Sequence, residues 1–424
     1  MIFGGPNSGS AEILVIGDEV ISGLILDTNS KYLGERIHNL GIGVSRITSV
    51  GDDFSTIEDC IVKALQRSDW IVIAGGLGIT HDDITKSVLM KIFGPNLRRD
   101  EKVAAMVEEM FRRRNREIPD SVQSQCEVPE DCQVLYNDVG TAPGFRFERE
   151  GHILFSLPGV PHEMKHLFER YISPELAKHS SKTFSQRILK TTGISEADLW
   201  EKIGALDPYK GKATLASLPS HLGVRIRLSI LTETKEKGEL NLDEVEYALM
   251  GCVGKYVYGK NEETLEGRVG QLLEEKSMTI ATAESCTGGL IGHRLTQISG
   301  SSGYFKEGFV VYSNDAKVSR LGVDPKAIEE QGAVSDTVAR LMAEGVRRVT
   351  GAEIAVSVTG IAGPTGGSEH KPVGLTFIAV SDAVGTWCGK YIFSHDRIKN
   401  KERAAQTALN LVRLRLMGLL KKEE

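Results

Sequence analysis

Short apolar runs alternate along the chain with stretches whose apolar residues recur at helical spacing. Residues 12–16 and 69–74 are apolar runs of strand length, and residues 44–50 alternate in the manner of a half-buried strand. Between them, residues 29–40, which stop at Gly41, and residues 56–66 carry a helical pattern. Strands that alternate with helices in this way predict parallel βαβ units and a doubly wound sheet. A strand at 153–157 and a helix at 162–171 follow, and the domain is expected to close by 172, ahead of Ser173-Pro174.

The pattern changes from 173 to 260. A polar stretch at 178–182, a helix at 196–206, a strand at 224–231 and a charged turn at 233–239 predict a small α+β connector without a catalytic constellation. From 261 onward an α/β pattern returns. It comprises a helix at 265–275, strands at 278–283, 308–312, 354–358 and 375–380, and a closing helix at 401–420. That last helix has Ala404, Ala408, Leu411, Val412, Leu416 and Leu419 at helical spacing. The expected fold class is α/β: two domains with three-layer sheets, 11–172 and 261–424, joined by the connector 173–260 and preceded by a flexible tail, 1–10.

At 424 residues the chain is long enough for two or three cores. A formal net charge of −6 lacks the basic excess of a nucleic-acid binder. The one dense basic run, Arg112-Arg113-Arg114-Asn115-Arg116, follows Glu108-Glu109 on a helical pattern and reads as a solvated helix face. Gly251-Cys252-Val253-Gly254 has the form of a GxxG nucleic-acid loop, but without a basic flank it reads as a helix end and turn. The six cysteines are scattered and include no CxxC, which points to a reducing compartment. No apolar stretch reaches membrane-spanning length, and the first ten residues lack the features of a signal peptide. A cytoplasmic protein with no membrane partner is expected.

In open α/β sheets, ligands bind beyond the carboxyl ends of the strands. All three early strands lead into acids: Gly17-Asp18-Glu19, Gly51-Asp52-Asp53, and the loop 75–85 with its His81-Asp82-Asp83. That loop is glycine-rich and opens an amphipathic helix, an arrangement that lets backbone N–H groups approach a phosphate. Phosphate beside several carboxylates calls for a hard cation, Mg²⁺ or similar, held by one or two carboxylates and by substrate oxygens. Singly, these features have structural readings, Asp82 or Asp83 as a helix N-cap and Asp52-Asp53 as a solvated turn. Their coincidence at one sheet edge is what points to a site.

A second constellation follows the strand at 278–283. Glu284-Ser285-Cys286-Thr287-Gly288-Gly289 places a serine where a helix N-terminus could hold an oxyanion. No histidine stands out as its base. Tyr312 ends a strand, and Lys317 falls in the first turn of a helix opened by Asn314-Asp315; a lysine serves as base when burial or positive neighbours depress its pKa. The glycine-rich segment 359–367 has the look of a phosphate or oxyanion cradle, and Asp396-Arg397 offers a guanidinium. Alone, Ser285 also reads as a helix N-cap, Lys317 as a surface lysine and Arg397 as an ion-pair partner, while Cys286 is a rival nucleophile.

These segments also carry a family resemblance. Gly17-Asp18-Glu19, Asp27-Thr28-Asn29, the loop 75–85, Gly140-Thr141-Ala142-Pro143-Gly144-Phe145 and Leu157-Pro158-Gly159-Val160-Pro161-His162-Glu163-Met164 together resemble the N-terminal domain of the CinA family. That domain is similar to the molybdopterin-binding MoaB/Mog fold. The resemblance implies metal-dependent hydrolysis of ADP-ribose to AMP and ribose 5-phosphate. It implies Asp83 as a catalytic and metal residue, Asp82 and Glu19 as further metal ligands, and Gly75, Gly76, Gly78, Thr80, Asn29 and Glu163 as substrate-binding residues. The chain has Ile79 where the family usually has proline.

Ala281-Thr282-Ala283-Glu284-Ser285-Cys286-Thr287-Gly288-Gly289, Gly300-Ser301-Ser302, the segment 308–317, Gly332-Ala333-Val334-Ser335, the segment 359–367 and Lys371-Pro372-Val373-Gly374 resemble the CinA C-terminal domain, a PncC-type nicotinamide mononucleotide amidohydrolase, over residues 262–415. The resemblance implies Ser285 as nucleophile, Lys317 as its base and Tyr312 as an orienting or relaying group. It also implies Thr359, Gly360 and Gly363 as holders of oxyanion or substrate, and Arg397 as the ligand of the 5′-phosphate, with no metal or cofactor at this site. His395 stands where the family commonly has glycine. Thr192-Gly193-Ile194-Ser195-Glu196 is similar to the KH-type connector of the same family. What the resemblance implies is a bifunctional pyridine-nucleotide salvage enzyme acting on nicotinamide mononucleotide and ADP-ribose, and a homodimer is expected. Two other readings remain at this point: an N-terminal domain that only binds a nucleotide or pterin, and a non-enzymatic partner in DNA uptake or repair.

Overall fold

The computed structural model describes residues 9–113, 115–180 and 182–420, so most of the tail expected at 1–10, and Arg114 of the basic run, lie outside the described residues. The chain divides into two compact units, residues 1–185 with 231–239 and residues 186–230 with 240–424.

In the first unit a six-stranded sheet runs in the order Gly43–Val50, Ser10–Ile16, Trp70–Ala74, His152–Leu157, Gly144–Arg149, Gln133–Leu135. The first four strands are parallel, as crossovers through the helices Thr28–Asn39 and Phe54–Leu65 require. Ile16 stands opposite Val50, and Ala74 opposite both Val15 and Leu157, so the carboxyl ends finish level. Alternate residues supply opposite faces. Leu14, Ile16, Ile71 and Ile73 pack with Ile57, Ile61 and Val88, while Ile13, Val15 and Val72 pack with Leu33, Ile37 and Leu167. This gives the expected three layers.

The second unit holds a five-stranded sheet in the order Phe305–Val310, Ile280–Glu284, Ile354–Gly360, Leu375–Asp382, Gly385–Ile392. Its first three strands are parallel and the last two return antiparallel. Ile280, Val356, Val358 and Ile378 face the helices Leu265–Glu275 and Arg397–Leu416, and Ala281, Ala283 and Ala355 face the helix Asp336–Thr350. The connector builds a separate four-stranded sheet, ordered Thr214–Ser220, Gly223–Thr232, Thr183–Thr191, Val257–Lys260. Its apolar core joins Leu199, Ile226, Leu228, Leu242 and Leu249.

Several elements depart from the sequence expectation. The domain does not end before Ser173-Pro174, because the helix Pro161–Leu167 continues through a π turn, Phe168–Ile172, into Ser173–His179. Pro174 falls in the first turn of that last segment, where its missing N–H costs nothing, and Leu176 is buried against Leu33 and Ile37. The charged turn expected at 233–239 instead begins the helix Lys235–Val253, with Glu233 paired to Lys237 one turn away. Gly254 follows that helix directly, as a helix end requires. The strand expected at 308–312 ends at Val310, which leaves Tyr312 in a turn, and the closing helix begins at Arg397 and not at 401. Arg112 and Arg113 end the helix Glu101–Arg113, exposed and paired with Glu109. None of the six cysteines is in a disulfide, and among the described residues no helix is long and apolar enough to cross a membrane.

If Ser173–His179 closes the first core, Leu176→Ala leaves a cavity there and destabilises that unit by about 2–5 kcal/mol. A thermal melt of the full chain should show the first unit unfolding earlier; an unchanged transition would place Leu176 outside the core.

Candidate functional site

At the carboxyl edge of the first sheet lies a cleft of about 480 Å³. It gathers Glu19, Asp52, Asp82, Asp83 and Glu163 around Gly75, Gly76, Gly78 and Thr80. The strand ends launch the loops: Gly17 N–H donates to Val50 O, and Gly75 N–H to Leu157 O, both at 3.0 Å. Gly75 passes so near the neighbouring strand that a Cβ would sit 2.1 Å from Ile16 O at a φ of +120°, so no other residue fits. Asp83 accepts the Thr80 N–H at 2.8 Å and the Thr80 hydroxyl. It therefore staples the loop and does not cap the helix Thr85–Phe93, whose N-cap position is Ile84.

Three contributors to this cleft escaped the sequence reading or proved indirect. Buried Gln125, distant in sequence, donates its amide to Leu77 O (2.9 Å) and Gly78 O (2.6 Å) and so fixes the glycine loop. Asp52 lines the cleft, whereas its neighbour Asp53 caps the helix Phe54–Leu65 by accepting the Thr56 N–H. Asn29 stands behind the lining: its Nδ2 donates to Gly159 O at 2.8 Å, and its Oδ1 is buried without a hydrogen-bond partner among the described residues. Glu163 sits against Gly140 and accepts Asn137 Nδ2 at 2.6 Å.

The acids of the cleft bear on a metal. Among the described residues no three His, Cys, Asp or Glu side chains converge closely enough to hold an ion by themselves. Partial burial, with Asp18, Glu19 and Asp82 nearby, pushes the Asp52 carboxyl above its ordinary value against the pull of the Asp18 N–H. Carboxylates spread around an open cleft and repelling one another fit a hard cation that keeps several waters and draws further ligands from a phosphate.

The second sheet builds a different site at its own carboxyl edge. Ile280–Glu284 stops with Glu284 opposite both Val310 and Val358, and Ser285 N–H donates to Val358 O at 2.9 Å. The turn that follows is left-handed at Gly289, which opens the helix Leu290–Thr296. That helix N-terminus is not free for an oxyanion, contrary to expectation. The buried Glu284 carboxylate accepts the N–H groups of Gly289 (3.0 Å), Ile291 (3.0 Å) and Gly292 (2.9 Å). An acid at a helix N-terminus is readable in sequence, but its inward direction is not.

Lys317 lies on the helix Asn314–Leu321, capped by Ser313. It is 1% exposed. Its Nζ is 3.2 Å from Ser285 Oγ, 2.9 Å from Val311 O and 3.1 Å from Tyr312 O. Burial pushes its amine below the ordinary lysine value of 10.5. A neutral amine has two N–H donors and one lone pair, so with both hydrogens given to the carbonyls the lone pair is left for the serine hydroxyl. Cys286, the rival, is packed in the apolar core, and burial pushes its thiol up to about 12.

The remaining residues fall into two groups. Tyr312 is 59% exposed; its carbonyl serves Lys317 and its hydroxyl accepts Arg397 Nη2 at 3.2 Å. Arg397 also donates to Gly363 O at 2.8 Å. The position of Arg397 is held by Asp396, which caps its helix by accepting the N–H groups of Ile398 and Lys399. Tyr312, Gly363 and Arg397 thus form one connected rim. Thr359 stands behind it, buried, with its hydroxyl donated to Ala333 O at 2.7 Å, and Gly360 ends the strand packed against Leu375 and Thr376.

Comparison with known proteins agrees with this division. Residues 262–416 match the family model described as "CinA C-terminal domain", residues 12–178 the "probable molybdopterin binding domain" and residues 186–259 the "damage-inducible protein CinA KH domain". The chain is 41% identical over 412 residues to the CinA-like protein of Chloroherpeton thalassium, covering 95% of this chain and 98% of that protein. It is 42% identical over 406 residues to the CinA-like protein of Salinibacter ruber, again covering 95% and 98%. Among solved structures, the competence/damage inducible protein CihA of Agrobacterium tumefaciens is 40% identical, covering 36% of this chain and 93% of that one, with a TM-score of 0.35. The chain belongs to the CinA family, with a molybdopterin-binding-like N-terminal domain, a KH connector and a CinA C-terminal domain.

Proposed function

We propose that the chain is a bifunctional nucleotide hydrolase: its C-terminal site deamidates nicotinamide mononucleotide, and its N-terminal cleft hydrolyses ADP-ribose. The observation that carries the first activity is the buried Lys317 amine 3.2 Å from Ser285 Oγ. Ser285 attacks the carboxamide carbon while Lys317 takes the hydroxyl proton. The resulting oxyanion falls to the N–H groups of the turn itself, Cys286 and Thr287, since those of Gly289, Ile291 and Gly292 are engaged by Glu284. Lys317 returns the proton to the departing nitrogen, and ammonia leaves an acyl-serine. Water, losing its proton to Lys317, then releases nicotinic acid mononucleotide and restores Ser285. Arg397, at the rim, takes the 5′-phosphate.

For the N-terminal cleft, the support is a glycine loop and several carboxylates around one cleft of the size of a small-molecule pocket. One or two carboxylates among Glu19, Asp52, Asp82 and Asp83, with phosphate oxygens and waters, would hold a divalent cation, which when bound supplies charge neutralisation at the diphosphate and a more acidic water. The backbone of the loop binds phosphate oxygens, and Thr80 and Gln125 keep Asp83 and the loop carbonyls in place.

Ser285→Ala and Lys317→Ala are each expected to lower nicotinamide mononucleotide turnover by about three orders of magnitude or more. Cys286→Ala should leave most of it, and an active Ser285→Ala enzyme would falsify the serine assignment. Because the neutral amine is the working form, activity should rise with pH through the depressed Lys317 value. The acid limb of kcat/KM should lie below the 10.5 of an ordinary lysine. Chelation should abolish AMP release from ADP-ribose while sparing deamidation, and Asp52→Asn or Asp83→Asn should weaken AMP release alone. Binding of ADP-ribose without AMP release at any metal concentration would leave the N-terminal domain as a binding module.

A further inference from the structure

One helix of the second unit, Arg397–Leu416, serves two sets of contacts. Its first turn faces the serine site. Arg397 reaches Gly363 O and Tyr312 Oη. Lys401, one turn on and so on the same side of the helix, brings its Nζ within 3.6 Å of the point where Gly288 would carry a Cβ. The flank of the same helix is held by the connector. His221, at the tip of the hairpin formed by Thr214–Ser220 and Gly223–Thr232, has its Nε2 2.6 Å from the Glu402 carboxylate. The His221 carbonyl accepts Arg403 Nε at 3.2 Å.

Further along, buried Arg413 donates to Lys255 O (2.7 Å) and Val257 O (3.0 Å) of the connector, and to Asn410 Oδ1. Rotation or sliding of the helix would strip a buried guanidinium of these partners, which is costly. Arg413 therefore fixes where the helix lies, and the His221 contacts act on its second turn, beside Lys401.

We infer that the connector is a working part of the amidase: His221, through Glu402, is a positioning residue that sets the opening turns of this helix so that Lys401 joins Arg397 as the second cation of a phosphate site beside Ser285. The inference rests on the amidase reading for its substrate, a nucleotide with a terminal phosphate. Two cations on one helix face suit a dianion better than one guanidinium that already serves a carbonyl and a phenol. The His221–Glu402 pair is partly exposed, 34% and 40%, so its effect is modest and screened by salt.

The test uses the full chain with nicotinamide mononucleotide and with nicotinamide riboside, which has the same amide and no phosphate. His221→Ala and Glu402→Ala should each raise KM for the mononucleotide by about threefold to tenfold with kcat retained, and leave riboside kinetics unchanged. The double variant should be no worse than either single one, because the two side chains act as a pair. His221→Gln, which keeps a donor, should recover part of the loss. Lys401→Ala should raise the same KM and erase the discrimination between the two substrates. Equal losses on both substrates, additive effects in the double variant, or an unchanged KM in both single variants would overturn the inference. Calorimetric binding of the mononucleotide separates it from the reading beneath it. An inert wild-type chain whose binding still weakens in His221→Ala would sink the amidase and keep the phosphate site, whereas unchanged binding would sink the phosphate site.

Discussion

Parallel pairing of strands is the constraint on which both candidate sites depend. A strand can join a neighbour in parallel only after the chain has crossed back over the sheet, so each strand delivers its following loop to the same edge. In the first unit the level ends of Ile16, Val50, Ala74 and Leu157 release Gly17, Gly51, Gly75 and Pro158 side by side. Acids far apart in sequence converge for that reason. In the second unit Glu284, level with Val310 and Val358, does the same for Ser285, the Tyr312 turn and Thr359. A slip of one residue along Ile280–Glu284 would send Ser285 to the opposite face of the sheet.

The same edge geometry yields opposite electrostatics because burial differs. Around the first cleft the acids crowd one another, and partial burial with acidic neighbours pushes the Asp52 carboxyl above its ordinary value. At the second edge the amine is sealed from water, and its charge becomes the expensive form. Glu284 shows the remaining case, a buried carboxylate whose oxygens are satisfied by three backbone N–H groups. That arrangement steadies the helix behind Ser285 and removes its N-terminus from the chemistry.

Much of this was legible in the residues. The period of the apolar positions identified the parallel strands and put Ser285 and the acidic loops at strand ends, with Lys317 in the first turn of a helix. The antiparallel strand Gly385–Ile392 was not visible, since it lies at the sheet edge, partly solvated, and Gly144–Arg149, though paired on both sides, breaks its apolar run with Arg146. Gln125 carried no signal either: a lone glutamine reads as surface until the loop it serves is folded beside it. Pro174 misled because a proline after a helical run resembles a stop, although the first turn of a renewed helix accepts it. Side-chain direction was the other limit. Which atom of Tyr312 would orient or relay was not readable: its carbonyl touches the base while its hydroxyl meets Arg397, and Thr359 turns its hydroxyl toward Ala333.

The oxygens that orient Lys317, besides Ser285, are main-chain carbonyls of positions 311, 312 and, at 3.5 Å, 313. Every amino acid brings that same oxygen. Side chains at those positions can therefore drift without disturbing the acceptors, while an insertion or deletion between Val311 and Lys317 would move them out of reach at once. What descent must preserve in this loop is its length more than its composition.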